Sequence, residues 1–243
     1  MKRVCFFVVA ALIASAGVVH ADEIPVDLSV SVDDDLTVLG ETIETDREGG
    51  FEAEGSVENE AYTLDWEIGG HLDPALVVSG SITNLTNAAI NVAFLFATPV
   101  IPFLPPSGAG GSIAGSVTDG NGDGVTLSNV DSSLYTALVN GTDFRTLGDS
   151  PFNFTSAVPF GSAALPVLSF GIPGLTEPGP GVLVTDMGIL VAFQLSAHDS
   201  AAFTANFVLE PRDEVIPEPA TLGLMVIGLA GFAGRALRRR KCS

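Results

Sequence analysis

A chain of 243 residues carries 29 acidic against ten basic side chains, for a net charge of −19. An excess of that size repels phosphate backbones and anionic headgroups, whose capture depends on Lys and Arg, so nucleic acid is excluded as a partner. Its two cysteines, Cys5 and Cys242, stand at the two ends, which leaves everything between them without a disulfide framework or a thiol nucleophile.

Lys2 and Arg3 lead an apolar run from Val4 to Val19, and Val19-His20-Ala21 offers small residues where a secretory signal is cut. Residues 1–21 therefore read as a signal helix removed after Ala21, on a Sec-type export route. Cys5 opens the apolar run rather than closing it, so it is misplaced for lipid attachment. The exported stretch, residues 22–214, then holds 28 acidic residues against Arg47, Arg145 and Arg212. Cations, divalent metals and basic partners remain compatible with it, and the charge also keeps a secreted β protein soluble.

From Val26 the sequence alternates, with Val26, Leu28, Val30 and Val32 on one face, as a half-buried strand requires. Tyr62, Leu64, Trp66 and Ile68 repeat the period, which points Trp66 and Tyr62 toward a core. Ala75 to Pro99 reads as two strands around a polar turn at Asn84 to Asn87. Pro99, Pro102, Pro105 and Pro106 then oppose regular ladder pairing, so that segment is expected at an edge or in a connection. Further strands are expected at Ile113 to Val117, Val125 to Leu127, Val182 to Val184, Ile189 to Leu195 and Ala201 to Leu209, with one short helical turn around Ser132 to Val139. Clusters such as Gly171-Ile172-Pro173-Gly174 exclude long helices. The fold expected is all-β, an antiparallel two-sheet sandwich of jelly-roll type in one domain over 22–214.

At the end of the chain, Ile216-Pro217-Glu218-Pro219-Ala220-Thr221 precedes an apolar run from Leu222 to Gly234, followed by Arg235, Arg238, Arg239, Arg240 and Lys241. This order closely resembles the PEP-CTERM sorting signal of Gram-negative bacteria. The run is short for a bilayer, but Ala236 and Leu237 extend it if Arg235 snorkels, giving a single transmembrane helix over 220–237 within a sorting segment at 215–243. The basic cluster holds the C-terminus in the cytoplasm by the positive-inside rule. Pro217, Glu218 and Pro219 then lie at the outer face as extended backbone that a protease can reach. The resemblance implies that an exosortase cuts there, after transient anchoring in the inner membrane, and that the domain passes to the cell surface or an exopolysaccharide matrix. Two inner segments, Asp73 to Asn84 and Phe193 to Phe203, are also similar to stretches of uncharacterised β-rich PEP-CTERM proteins.

The strongest local motif in the exported part is Asp119-Gly120-Asn121-Gly122-Asp123-Gly124. Alternating oxygen ligands on a glycine-bent loop suit calcium, with Asp119, Asn121 and Asp123 supplying side chains and Val125 its carbonyl. Position twelve, however, is Val130 where a bidentate acid belongs, and Asp131 comes one residue late. A metal-free turn, for which the Asn-Gly and Asp-Gly steps supply positive φ, produces the same letters. No cofactor is required by either reading, and calcium is the one candidate.

Catalysis is poorly provided for: residues 22–214 contain no Cys, no Lys and only His71 and His198. Both histidines read as surface turn residues, and no nucleophile elbow or paired-histidine metal motif occurs. Asn84-Leu85-Thr86, Asn140-Gly141-Thr142 and Asn153-Phe154-Thr155 fit a glycosylation pattern that carries little weight in a bacterium. The reading is a non-enzymatic structural or adhesive surface protein. The rivals are a calcium-assisted glycan-binding module and a secreted carboxylate-dependent hydrolase.

Overall fold

The computed structural model describes residues 23–33, 35–44, 50–71, 74–103, 105, 108–130 and 133–210. The signal segment, the sorting segment with its expected membrane helix, and Asp131 lie outside the described residues. The chain divides into two units, 1–211 and 212–243, and everything described belongs to the first.

Sixteen strands follow one another in the described chain, and every described pairing is antiparallel. The first half gives β1 (Glu23–Val32), β2 (Asp35–Glu44), β3 (Gly50–Glu58), β4 (Tyr62–His71), β5 (Ala75–Asn84), β6 (Ile90–Phe103), β7 (Gly108–Thr118) and β8 (Val125–Ser128). The second gives β9 (Ser133–Val139), β10 (Thr142–Asp149), β11 (Asn153–Ser156), β12 (Ser162–Ala164), β13 (Leu168–Phe170), β14 (Glu177–Pro178), β15 (Val184–Leu195) and β16 (Ser200–Glu210). One sheet runs β10-β9-β15-β6-β1-β2, with β8 on β15 and β11 on β8. The other runs β12-β7-β16-β5-β4-β3, with β13 and β14 also on β7.

The expected two-sheet sandwich follows from the alternation. Val26, Leu28, Val30 and Val32 are all buried, as are Leu76, Val78 and Ile82 of β5 and every second residue of β16 from Ala201 to Leu209. Rings join the layers: Phe94 of β6 meets Phe203 of β16 edge-on with centroids 5.0 Å apart, and Phe193 of β15 flanks both. Such aromatic pairs add about 0.5–1.5 kcal/mol each beyond the area they bury. Gly80 makes room for this, since a Cβ there would lie 2.6 Å from the Phe203 ring. Tyr62 is buried as expected, whereas Trp66 is only partly so, its indole lying over Gly55 of the edge strand β3.

Three expectations need correction. Ser133–Val139 forms strand β9 rather than a helical turn, because it lies between β10 and β15 and is buried on both faces, which erases the two-residue period. The proline segment does not interrupt β6, which continues through Pro99 and Pro102 to Phe103. Beyond Ala97, β15 is the one described partner of β6, so the prolines fall where one side needs no donor, as an edge position was expected to allow. The strand expected at Val182 begins only at Val184, with Val182 and Leu183 exposed, and a bulge between Val184 and Asp186 absorbs the irregularity.

Candidate functional site

One end of the sandwich gathers four connections: 85–89 between β5 and β6, 119–124 between β7 and β8, 157–161 between β11 and β12, and 196–199 between β15 and β16. Asp119 organises them. It is only 2 % exposed, and its carboxylate accepts four backbone N–H groups. Oδ1 takes Asn121 at 3.1 Å and Gly122 at 2.8 Å, while Oδ2 takes Gly124 at 3.1 Å and Phe160 at 3.0 Å. Burial alone would raise its pKa, but these four donors more than offset it and hold the carboxyl below its ordinary 3.8.

Asp199, fully buried, is the second centre. It accepts Gly120 N–H at 3.1 Å and the Ser196 hydroxyl, and its own carbonyl accepts Asn84 N–H at 2.8 Å. Gly120 has to be glycine, because a Cβ would lie 2.1 Å from the His198 carbonyl oxygen. Asn84, also fully buried, donates to the carbonyls of Ala88 at 2.8 Å and Ser196 at 2.9 Å, and accepts from the Thr86 amide and hydroxyl. Its side chain is therefore a structural strut and not a glycosylation acceptor. His198, at φ +59, meets the Asn87 amide oxygen at 2.8 Å.

The calcium motif takes a different shape from the one its spacing suggests. Asp119, Asp123 and Asp199 each bring a carboxylate oxygen within 4.8 Å of the others. Such a separation suits oxygens on opposite sides of a calcium ion bound at 2.3–2.6 Å. Asn121 instead turns its Oδ1 to the Asp123 N–H at 3.1 Å, and Val125 begins β8, paired with Ser156. Asp199 had no sequence signal, since it lies far along the chain beside a histidine that explained its neighbourhood equally well. The donor set is chemically suited to a hard cation, yet the four N–H groups on Asp119 already occupy the lone-pair positions that a cation would use.

Phe160 is the residue that sequence reasoning passed over. The other phenylalanines whose burial is described are buried or packed against the core, but Phe160 is 71 % exposed. Its backbone sits at φ +54, a conformation unfavourable for a side chain with a Cβ, because its N–H is committed to Asp119. The ring is thereby held out over Gly122, whose own φ of +89 and lack of a side chain leave the space. Exposed Asn121, Asp123 and Val158 stand on the same connections.

The two histidines do not share a cleft. His71 closes β4 beside Ala75, whereas His198 lies two residues before the pairing of Ser200 with Thr83, so roughly 25 Å of strand β5 separates their positions at the usual rise. His71 is a half-buried strand residue rather than one in a turn.

Residues 215–240 match the family model of the PEP-CTERM protein-sorting motif. The chain is a PEP-CTERM sorting-domain-containing protein. It is exported, held transiently to the membrane through its C-terminus, processed by an exosortase and released to the surface. No curated protein sequence matches this PEP-CTERM chain. Among solved structures it is similar to TmCBM61 in complex with β-1,4-galactotriose, at 12% identity and a TM-score of 0.29, over 76% of this chain and 88% of that one. It is also similar to the enzymatically active domain of bacteriophage CBA120 tailspike protein 4, at 12% identity and a TM-score of 0.26, over 66% of this chain and 19% of that one. Likeness of this degree carries no argument about ligand or chemistry.

Proposed function

We propose that the sandwich is a non-catalytic adhesive or structural component of the cell surface or exopolysaccharide matrix, and that its loop end contacts glycan through Phe160. The observation that carries this reading is the Asp119–Phe160 hydrogen bond, which keeps an apolar ring in solvent at a strained φ. Strain and exposure together cost stability and persist where a partner uses them. A ring beside hydroxyl- and amide-bearing loops offers a sugar one apolar face and several hydrogen-bond partners.

Glycan-array binding by the released chain tests this, with Phe160→Ala as the comparison. Loss of signal in the variant at an unchanged melting temperature supports the reading, and equal binding by both proteins removes it. Release of reducing ends from the bound polymer would favour the hydrolase instead.

A second reading has a specific observation behind it, the convergence of Asp119, Asp123 and Asp199. Calcium at this point would have to displace some of the N–H donors on Asp119, and would then neutralise three carboxylates and brace the loops that hold Phe160. Isothermal titration with calcium checks it, and no heat together with an unchanged melting temperature in chelator defeats it.

A further inference from the structure

The outward face of the second sheet differs in kind from the rest of the molecule. On β5, β16 and β7 the residues that point away from the core are Ser, Thr, Ala, Val, Asn and Gly, with Gly108 and Gly110 covered by Ile172 and Leu175, and the one ionisable side chain among them is Glu210 at the end of β16. The acidic side chains of this face stand apart on β3 and β4, at Glu52, Glu54, Glu58, Asp65 and Glu67. In a chain of net charge −19, an uncharged area three strands wide is a departure that composition does not explain.

Register lines the hydroxyls up across the strands. Thr83 of β5 stands opposite Ser200 of β16, which stands opposite Thr118 of β7, which stands opposite Ser162 of β12. Their oxygens pair at 2.8 Å for Thr83 with Ser200 and 2.7 Å for Thr118 with Ser162. Two rows further along, Ser79 pairs with Thr204 at 3.2 Å, and beyond it Asn206 donates to the Ser112 hydroxyl at 2.9 Å. Groups already paired with one another lose little when water is removed, and along these rows no charge has to be desolvated. Such a face can be covered at low cost.

Two features mark where a ligand would seat. The missing side chain of Gly69 leaves a depression of about 140 Å³, walled by Glu52, Glu67, Val77 and Ser79. Val77 is 45 % exposed at its margin, although it lies in the middle of a sheet. Next to Val77 in register, Asn206 keeps an enclosed Oδ1 that accepts no hydrogen bond among the described residues. That atom is closed to solvent, so a ligand hydroxyl over Val77 reaches it only when the Asn206 side chain turns outward.

We propose that this face docks an uncharged polysaccharide, laid across β5, β16 and β7 with one sugar unit seated over Gly69. Charge selects the occupant: the carboxylates on β3 and β4 repel an anionic polymer and the like-charged rim of a second copy, while the hydroxyl rows suit a neutral chain of hydroxyls. The proposal rests on the matrix-adhesive reading but uses a surface separate from the loop end.

The test is a sedimentation assay of the released chain with microcrystalline cellulose and insoluble galactan as neutral probes and alginate gel as the anionic one. Gly69→Leu fills the depression, where an added Cβ meets nothing nearer than the Phe51 carbonyl at 3.8 Å, and the double variant Ser79→Glu/Thr204→Glu puts charge on the rows. Retention on a neutral probe, reduced about tenfold by each variant at an unchanged melting temperature, is the expected result. Loss confined to Phe160→Ala overturns the sheet-face site and leaves the adhesive reading standing. Retention on alginate equal to that on the neutral probes overturns the charge argument and the site with it. No retention of the unaltered chain by any neutral probe overturns both.

Discussion

The hydroxyl of Tyr135, on the first sheet, donates a 2.9 Å hydrogen bond to the backbone carbonyl of Asn206 on the second. It is a polar tie through the middle of an apolar layer, and burial pushes the Tyr135 hydroxyl well above its ordinary pKa, so it stays a donor at any working pH. Tyr135→Phe keeps the ring and removes this bond. Urea unfolding is expected to show a loss of about 1 kcal/mol, the usual net contribution of one hydrogen bond.

Asp119 gives the fold an acid limit. Its carboxyl titrates below 3.8 in the folded chain, so in the window beneath that value the unfolded chain takes up a proton first. The stability it contributes is complete above the ordinary carboxylate range and is lost as pH falls through the lower, folded value. Asp119→Asn should lower the melting temperature at neutral pH and flatten its decline in that acid window. Melting curves from pH 2 to 7, an interval set by the usual carboxylate range, would show it.

Asn84 ties the β5–β6 turn to the β15–β16 turn by donating to Ala88 and Ser196 while accepting from Thr86. Asn84→Leu removes these bonds and leaves buried carbonyls unmatched, so a loss of about 2–4 kcal/mol is expected in denaturant unfolding. Amide exchange should quicken in both turns at once, since one side chain serves both.

Phe160 should show stability and binding moving in opposite directions. Phe160→Gly removes the φ +54 penalty and exposes less apolar surface, so the variant is expected to gain on the order of 1 kcal/mol. The same change should abolish loop-end glycan retention. Calorimetry beside the array measurement checks both halves.

The sandwich was legible because its core strands alternate: Val26 to Val32, Tyr62 to Ile68 and Ala201 to Leu209 each declare one dry face. Strand β9 was illegible for the converse reason, since burial on both faces gives Leu134-Tyr135-Thr136-Ala137 no period to read. The β9–β10 hairpin did leave a signal in Asn140-Gly141, whose φ values of +51 and +67 are those of a two-residue turn, but its letters drew attention as a glycosylation pattern. Asp119 and Asp123 could be found from spacing alone. Asp199 and Phe160 could not, because the first reaches the loop through tertiary packing and the second owes its exposure to a hydrogen bond made by a distant carboxylate.

Strand β3 is an outer rim of the second sheet, and it carries Glu52, Glu54 and Glu58. An open rim is a template on which another chain can add a strand, and like charges placed there discourage it. For an exported protein, this is protection against fibre growth. Crowded copies can then stand side by side as separate units.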